Sequence, residues 1–337
     1  MPVSGIAPST AVPVGPRRHR LAYIGAGWIT PKHLDGLDRL GRTELVGVAS
    51  ARLESAHAMA APRGARAFDD IERLLDAGHP DIAYVAVPPV AAVAICERLV
   101  ERGIPFLTEK PLAATDDDGP ERLAAAIARS GLVVAVGYHL RALEAIPEVR
   151  RRLAVAPPQL VRASWLGETP GPLWWRTEVT GGGQVVEQAT HFYDLARHLV
   201  GGEAMVVGAA SIRADPSAPE GADVVDATAA ILRFDSGAVG SFDTSRRLPT
   251  GVIGIELASV GLLTTIRSGA DGWTTTFVDG DGLTTLDPGR DPYERQAEVF
   301  LDAVEAGDPH AVLCTYADAL RSFRLTRAVV AATGRSG

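Results

Sequence analysis

The run LAYIGAGWIT, residues 21–30, decides the fold of this chain. Its first four residues are apolar, as in a strand buried on both faces. Gly25 and Gly27 then permit a tight turn and a close approach to the backbone. The helix that follows offers free N–H groups and a positive dipole end. Such a turn suits a pyrophosphate, with Gly25, Gly27, Trp28 and Ile29 around it. Thr30 stands where the third glycine of the usual fingerprint would be. A plain strand–helix turn is the simpler alternative for the motif alone, and the alternation that follows favours nucleotide binding.

Working outward, apolar runs alternate with helical stretches. The helix after the turn leads to ELVGVAS (44–50), a helix over 53–60 and IAYVAV (82–87). Then come a helix over 91–102, IPFLTEKP (104–111), a helix over 120–129 and LVVAVGY (132–138). Short apolar strands between amphipathic helices predict a doubly wound parallel sheet over residues 20–141. Beyond about residue 144 the pattern changes. A helix (146–153), a strand (160–166) and a helix around 187–199 precede a series of β-rich runs. These are MVVGAAS, DATAAILRF, AVGSFDTSR, VIGIELAS, LLTTIRS and WTTTFV, with a hairpin turn at Asp235-Ser236-Gly237. Two helices, 291–306 and 316–332, end the chain. Residues 142–337 are therefore expected to form an α+β domain with an open, largely antiparallel sheet, giving an α/β protein of two domains. Residues 1–19, rich in Pro, Gly and Ser, read as a flexible tail.

The chain has 337 residues, 46% apolar and 22% charged, with a formal net charge of -8. That balance argues against nucleic acid and anionic membrane as partners. No apolar stretch is long enough to span a bilayer. Cys96 and Cys314 form no CxxC or Cys/His cluster, so the expectation is a reducing cytoplasm, with no disulfide framework and no structural metal.

Four groups of residues carry the chemistry. After the second strand, Ser50 and Arg52 replace the acidic residue that selects an unphosphorylated ribose. They suit a 2′-phosphate, although a solvated arginine at a helix start is an equal alternative, so NAD and NADP both stay open. Glu109-Lys110-Pro111 closes a strand where doubly wound sheets place ligands. Lys110 there is suited to stabilise a developing alkoxide, and a cis bond before Pro111 is permitted. Glu187 and His191, four apart behind Gly181–Gly183, share one face if the segment is a continuous helix. Glu187 would then orient His191 as a proton acceptor. His198 lies too far along for the two histidines to share a metal. Finally, Trp174, Trp175 and Arg176 on a Gly/Pro-rich loop suit stacking on a sugar face, with ordinary packing as the alternative.

These motifs together resemble the glucose–fructose oxidoreductase/inositol dehydrogenase/MocA family. The resemblance rests on GAGWITPKH (25–33), EKP (109–111), VGYHLR (136–141), GGGQVVEQATHFYDLARHLVG (181–201) and DPYERQAEVFLDAVEAGDP near the C-terminus. It implies that Lys110 and His191 occupy catalytic positions, with Glu187 where many members carry aspartate. It also implies cofactor contacts at Pro88, Glu109 and Lys110. Substrate contacts fall at Tyr138, Arg141, Trp174, Trp175, Arg176 and Glu187. Ala92 departs from a PPxxH pattern that would place a histidine there. The implied activity is NAD(P)-dependent oxidation or reduction of a secondary hydroxyl on a sugar, aminosugar or aminocyclitol. The Ala/Arg/Gly-rich composition points to a high-GC bacterial source, and so to secondary metabolism such as aminoglycoside biosynthesis. A redox NAD-dependent glycosidase and a non-catalytic nucleotide sensor are the alternatives. The open sheet's outer face predicts a homodimer or homotetramer.

Overall fold

The computed structural model describes residues 18–214 and 222–334. Most of the tail expected over 1–19 lies outside the described residues, and the first strand already begins at His19. The first half runs β1 (His19–Ile24), α1 (Thr30–Leu40), β2 (Thr43–Ala49), α2 (Leu53–Ala60), β3 (Arg66–Phe68) and α3 (Ile71–Gly78). It continues with β4 (Ile82–Val85), α4 (Pro89–Glu101), β5 (Phe106–Thr108), α5 (Asp118–Ser130) and β6 (Val134–Val136). These strands form one sheet in the order β3-β2-β1-β4-β5-β6, every pair parallel. The order reverses between β1 and β4, so a crevice opens at the carboxyl ends of those two strands. Strands β4, β5 and β6 are buried at every position because helices cover both faces. β3 and α3 have no counterpart in the sequence reading; a three-residue strand is too short to carry a periodicity.

The second half runs α6 (Ile146–Val155), β7 (Pro158–Glu168), α7 (Glu178–Gly181), α8 (Gly183–Glu187) and α9 (Thr190–Val200). Strands β8 (Ala204–Ile212), β9 (Ala227–Phe234), β10 (Val239–Ser245), β11 (Arg247–Ser259), β12 (Leu262–Gly269), β13 (Gly272–Asp279) and β14 (Gly282–Leu286) follow. They form an eight-stranded sheet in the order β14-β13-β12-β11-β7-β10-β9-β8, antiparallel throughout except for β7 against β10. Burial alternates along β9 and β10, the signature of a sheet with one covered face. Gly237 turns the β9–β10 hairpin with φ 88°, at the expected Asp-Ser-Gly. Phe192, Tyr193, Leu195 and Leu199 of α9 pack on Phe242, Leu232 and Ile255 of the inner face.

The chain ends in α10 (Pro292–Ala306) and α11 (Tyr316–Ala332). Neither is confined to the second sheet, which departs from the expectation that all of 142–337 forms a separate unit. Ala297, Phe300 and Leu301 of α10 are buried among Leu21, Tyr23 and Tyr84 of the first sheet. Phe323 of α11 joins the core around Cys96 and Leu123, while Leu325 and Val329 join the core under the second sheet. The last helices thus tie the two sheets together.

Candidate active site

The glycine turn lies at the crevice. Gly25 has φ 115°, and a Cβ there would stand 2.0 Å from the Ala86 carbonyl oxygen just beyond β4. Only glycine allows β1 to turn this close to its neighbour. Gly27, by contrast, has open space where a Cβ would be. A crowded first glycine and an open second one make the cradle a pyrophosphate requires, so the residues fit a dinucleotide. Ile29 leads into α1 and Trp28 is exposed beside the turn. Pro88 precedes α4 beyond β4. Ser50 and Arg52 follow β2, and the Ser50 hydroxyl accepts the Arg52 backbone N–H at 3.5 Å. The Arg52 side chain is exposed, with no carboxylate partner among the described residues.

Beyond β5, Glu109 and Lys110 point to different tasks. The Glu109 carboxylate meets His33 Nε2 at 2.9 Å, and His33 is buried on α1. One oxygen of Glu109, a residue expected at the cofactor, is thus engaged by a buried histidine. Lys110 precedes a cis bond to Pro111. Its ammonium crosses to α8, donating to the Glu187 carbonyl at 2.6 Å and to Glu187 Oε1 at 2.7 Å. Trp175 Nε1 donates to Glu187 Oε2 at 2.9 Å.

This arrangement corrects the expected pairing of Glu187 with His191. The helix is interrupted between them: α8 ends at Glu187 and α9 begins at Thr190. The His191 N–H bonds to the Gln188 carbonyl rather than to that of Glu187. The freed Glu187 carbonyl is the one Lys110 takes, and both carboxylate oxygens are committed to Lys110 and Trp175. His191 is oriented by other means. It is 4% exposed, with its Nδ1 buried and without a hydrogen-bond partner. Trp165 stacks on its ring at 5.8 Å and 18°, His139 stands edge-on at 4.5 Å, and Tyr138 edge-on at 6.0 Å. Burial, then the neighbouring His139 and Lys110, push the His191 pKa well below the usual histidine range. His139 is held down to about 3 by burial and by Lys110, His33 and Lys32. Both imidazoles are therefore neutral at pH 7.

The expected substrate residues divide. Tyr138 is buried and shares a hydrogen bond with Thr190, supporting α9 from beneath. Arg141 does not face the cleft. Its guanidinium holds Asp194 through two bonds of 2.7 and 2.6 Å, Asp318 at 2.6 Å and the Leu313 carbonyl at 3.1 Å. Four of its five N–H groups are taken in the interior, so Arg141 is a structural anchor rather than the expected sugar contact. Asp194, Cys314 and Asp318 approach one another closely enough for a metal. Burial raises the Asp318 pKa, but Arg141 and Arg197 outweigh it and hold it at about 2. Those two guanidinium groups supply the charge a cation would. Trp175 is 1% exposed and fully packed, while Trp174 and Arg176 are half-buried on the same turn. His33, His139, Trp165 and Tyr293 went unnoticed in the sequence. For His139 the signal was there, since it sits inside VGYHLR beside Tyr138.

The profile of an oxidoreductase family with an NAD-binding Rossmann fold matches residues 19–138. That of the GFO/IDH/MocA C-terminal domain matches residues 154–259. Over 336 residues the chain is 29% identical to 1,5-anhydro-D-fructose reductase of Ensifer adhaerens, covering 94% of this chain and 98% of that one. Levoglucosan dehydrogenase, solved with NADH, shares the fold with a TM-score of 0.84 at 20% identity, covering 94% and 97% of the two chains. KijD10, a 3-ketoreductase from Actinomadura kijaniata solved with NADP and TDP-benzene, does so with a TM-score of 0.82 at 22% identity, covering 94% and 98%. Fold and relatives together define an NAD(P)-dependent oxidoreductase. The chain belongs to the GFO/IDH/MocA family, a family of sugar and cyclitol dehydrogenases. Among the described residues, no helix is long and apolar enough to cross a membrane.

Proposed function

We propose that this oxidoreductase acts on a secondary ring hydroxyl of a sugar, aminosugar or aminocyclitol, with Lys110 and His191 as its catalytic residues and Glu187 fixing Lys110. One observation carries the reading: an ammonium at the end of β5 acts on the charge of a buried, neutral imidazole, and each has capacity to spare. Lys110 commits two of its three N–H groups to Glu187, leaving one for a substrate oxygen. His191 Nδ1 is sealed among aromatic rings, leaving Nε2 as the nitrogen able to exchange a proton with the hydroxyl. A neutral imidazole accepts that proton as the alcohol is oxidised, and returns it when the ketone is reduced. The Lys110 charge stabilises the oxygen in either direction. When bound, the nicotinamide supplies the hydride acceptor or donor. Gly25, Gly27, Trp28, Ile29 and Pro88 would hold the dinucleotide, and Ser50 and Arg52 lie where a 2′-phosphate would be recognised. Trp174 and Arg176 are left as the loop's contacts to substrate.

On this reading residues 20–141 form the dinucleotide-binding domain and 142–337 the substrate domain, with α10 and α11 returning to the first. The enzyme works in the cytoplasm, in secondary metabolism such as aminoglycoside biosynthesis. The reductase and 3-ketoreductase relatives support a ring-carbon redox reaction. It is also a homodimer or homotetramer. The outer face of the second sheet carries exposed Ile231, Val239, Leu160 and Val252 on four adjacent strands, with Val278 two strands beyond. Light scattering should give a mass of two or four chains, and a sharp monomer would refute this part.

The experiment for the activity follows reduced-nicotinamide absorbance with NAD⁺ or NADP⁺ across a panel of sugars, cyclitols and aminoglycosides, with His191→Ala as control. A signal that the variant loses supports the reading. A signal that survives in the variant removes His191 from the chemistry.

A further inference from the structure

Trp175 reads from sequence as a stacking face for a sugar, yet the fold uses it differently. We propose that Trp175 is a positioning residue, holding the Glu187 carboxylate in the one orientation that clamps Lys110. Three separate elements meet at that carboxylate. Lys110, after β5, donates to Oε1, and Trp175, from the loop before α7, donates to Oε2. Glu187 itself ends α8.

The terminal torsion of a glutamate is soft, so a single contact to Oε1 does not fix the plane of the group. The second contact does, because the donor-only indole N–H holds the other oxygen in a second fixed direction. The indole is itself well held. Its backbone N–H bonds to the Pro172 carbonyl at 3.1 Å, and the Trp174 carbonyl accepts from the Thr180 hydroxyl.

The glycine run completes the arrangement. A Cβ on Gly181 would lie 3.1 Å from both the Trp174 carbonyl oxygen and Trp175 Cα, so a glycine there lets the loop settle. Gly182 and Gly183 follow with φ 79° and 74°, a pair of left-handed residues that turns the chain from α7 into α8 and aims Glu187 at the indole. The GGG motif thus positions a carboxylate clamp.

The consequence for turnover rests on Lys110 acting on substrate, but the clamp is testable without substrate. The chain contains only two lysines, Lys32 and Lys110, against thirty-three lysines and arginines together. Acetylation of the full-length protein by an N-hydroxysuccinimide ester, read by peptide mass spectrometry, therefore reports Lys110 with Lys32 as internal reference. Lys110 should react slowly in the parent chain. In Trp175→Phe its rate relative to Lys32 should rise about tenfold, the worth of one hydrogen bond to a charged group. Glu187→Gln should release Lys110 as well, and the double variant should label no faster than Glu187→Gln alone. An unchanged ratio in Trp175→Phe overturns the proposal, as do additive effects in the double variant, which would mean the indole acts by packing. If Trp175→Phe does not fold, benzothienylalanine at position 175 keeps the shape, lacks the N–H and meets the same criteria. With an identified substrate, Trp175→Phe should lower kcat about tenfold with little change in KM. A protein that shows the labelling coupling but oxidises no polyol would sink the dehydrogenase reading and leave the clamp standing.

Discussion

Lys110 acts electrostatically on His191, yet the two are held by opposite means. Lys110 is fixed by hydrogen bonds, to a carbonyl and a carboxylate that is itself tied to an indole. His191 is fixed by shape, between Trp165, His139 and Tyr138, with its inner nitrogen unbonded. Hydrogen bonds to a charge give direction and keep the charge in place. Packing gives direction without imposing a protonation state, and burial then favours the neutral ring. A cation that must stay charged and a base that must start neutral call for these two kinds of support.

The most forceful way to break the comparison is to remove each group. Lys110→Ala and His191→Ala should each lower kcat/KM on the order of 10³-fold, equal to about 4 kcal/mol in the transition state. The two should differ in rescue. Added imidazole should restore part of the His191→Ala rate, because the aromatic box persists as a cavity. An amine should restore less in Lys110→Ala, because a free ammonium must shed its hydration to enter a part-buried site, whereas imidazole enters neutral. Equal rescue in a chemical-complementation assay would mean that the two supports do not differ as described.

Next in size is the foundation under α9. Arg141 neutralises Asp194 and Asp318 in the interior. Arg141→Met leaves the buried Asp194 carboxylate without its cationic partner, while Asp318 keeps Arg197, at a cost of about 3 kcal/mol or more in urea unfolding. Loss of stability with normal catalytic constants in the surviving folded enzyme would confirm that this arginine anchors the helix and does not touch substrate.

A smaller effect sharpens the claim about shape. His139→Phe keeps a ring against His191, whereas His139→Ala opens a cavity. If packing holds His191, the alanine variant should lose about tenfold in kcat and the phenylalanine variant much less. The reverse order, or equal losses, would show that the second imidazole contributes through its nitrogens.

The contrast also explains what the sequence could reveal. Strands that fill whole apolar runs, such as β1 and β4, and helices that show a clear stripe are visible because their signal is local. β3 and β14 are three and five residues long and carry none. Lys110 and His191 stand out because each sits inside a motif of unusual composition. Their partners do not, because partnership is tertiary. Spacing of four between Glu187 and His191 implies a shared face only if every hydrogen bond between them is helical, and the break at Gln188 removes that premise. Arg141 looked like a cleft residue because it closes a motif, yet its counter-charges come from α9 and α11, far along the chain. Stacking and packing both stayed open for Trp175 because exposed and buried indoles are identical as letters.

The finest distinction is in pH. Burial first, and then Lys110, His33 and Lys32, hold His139 at about 3 in the folded chain. Unfolded, the same histidine titrates near its ordinary value of about 6.5. Above that value neither state takes a proton and the full contribution to stability is present. As pH falls below it, the unfolded chain binds a proton that the folded chain refuses, and stability declines by about 1.4 kcal/mol per pH unit until the folded value is reached. His191, lowered chiefly by burial, and His198, held at about 4 chiefly by burial and Arg141, act in the same direction. Stability should therefore fall between about pH 6.5 and 5, before most carboxylates titrate. His139→Phe should flatten that slope by about one proton, measured as the pH dependence of urea unfolding. Catalysis should behave differently over the same interval: because folded His191 stays neutral, kcat/KM should show no acid limb near 6.5. A limb at that pH would mean that His191 opens to water before substrate arrives, and the contrast with hydrogen-bonded Lys110 would then hold for the closed site alone.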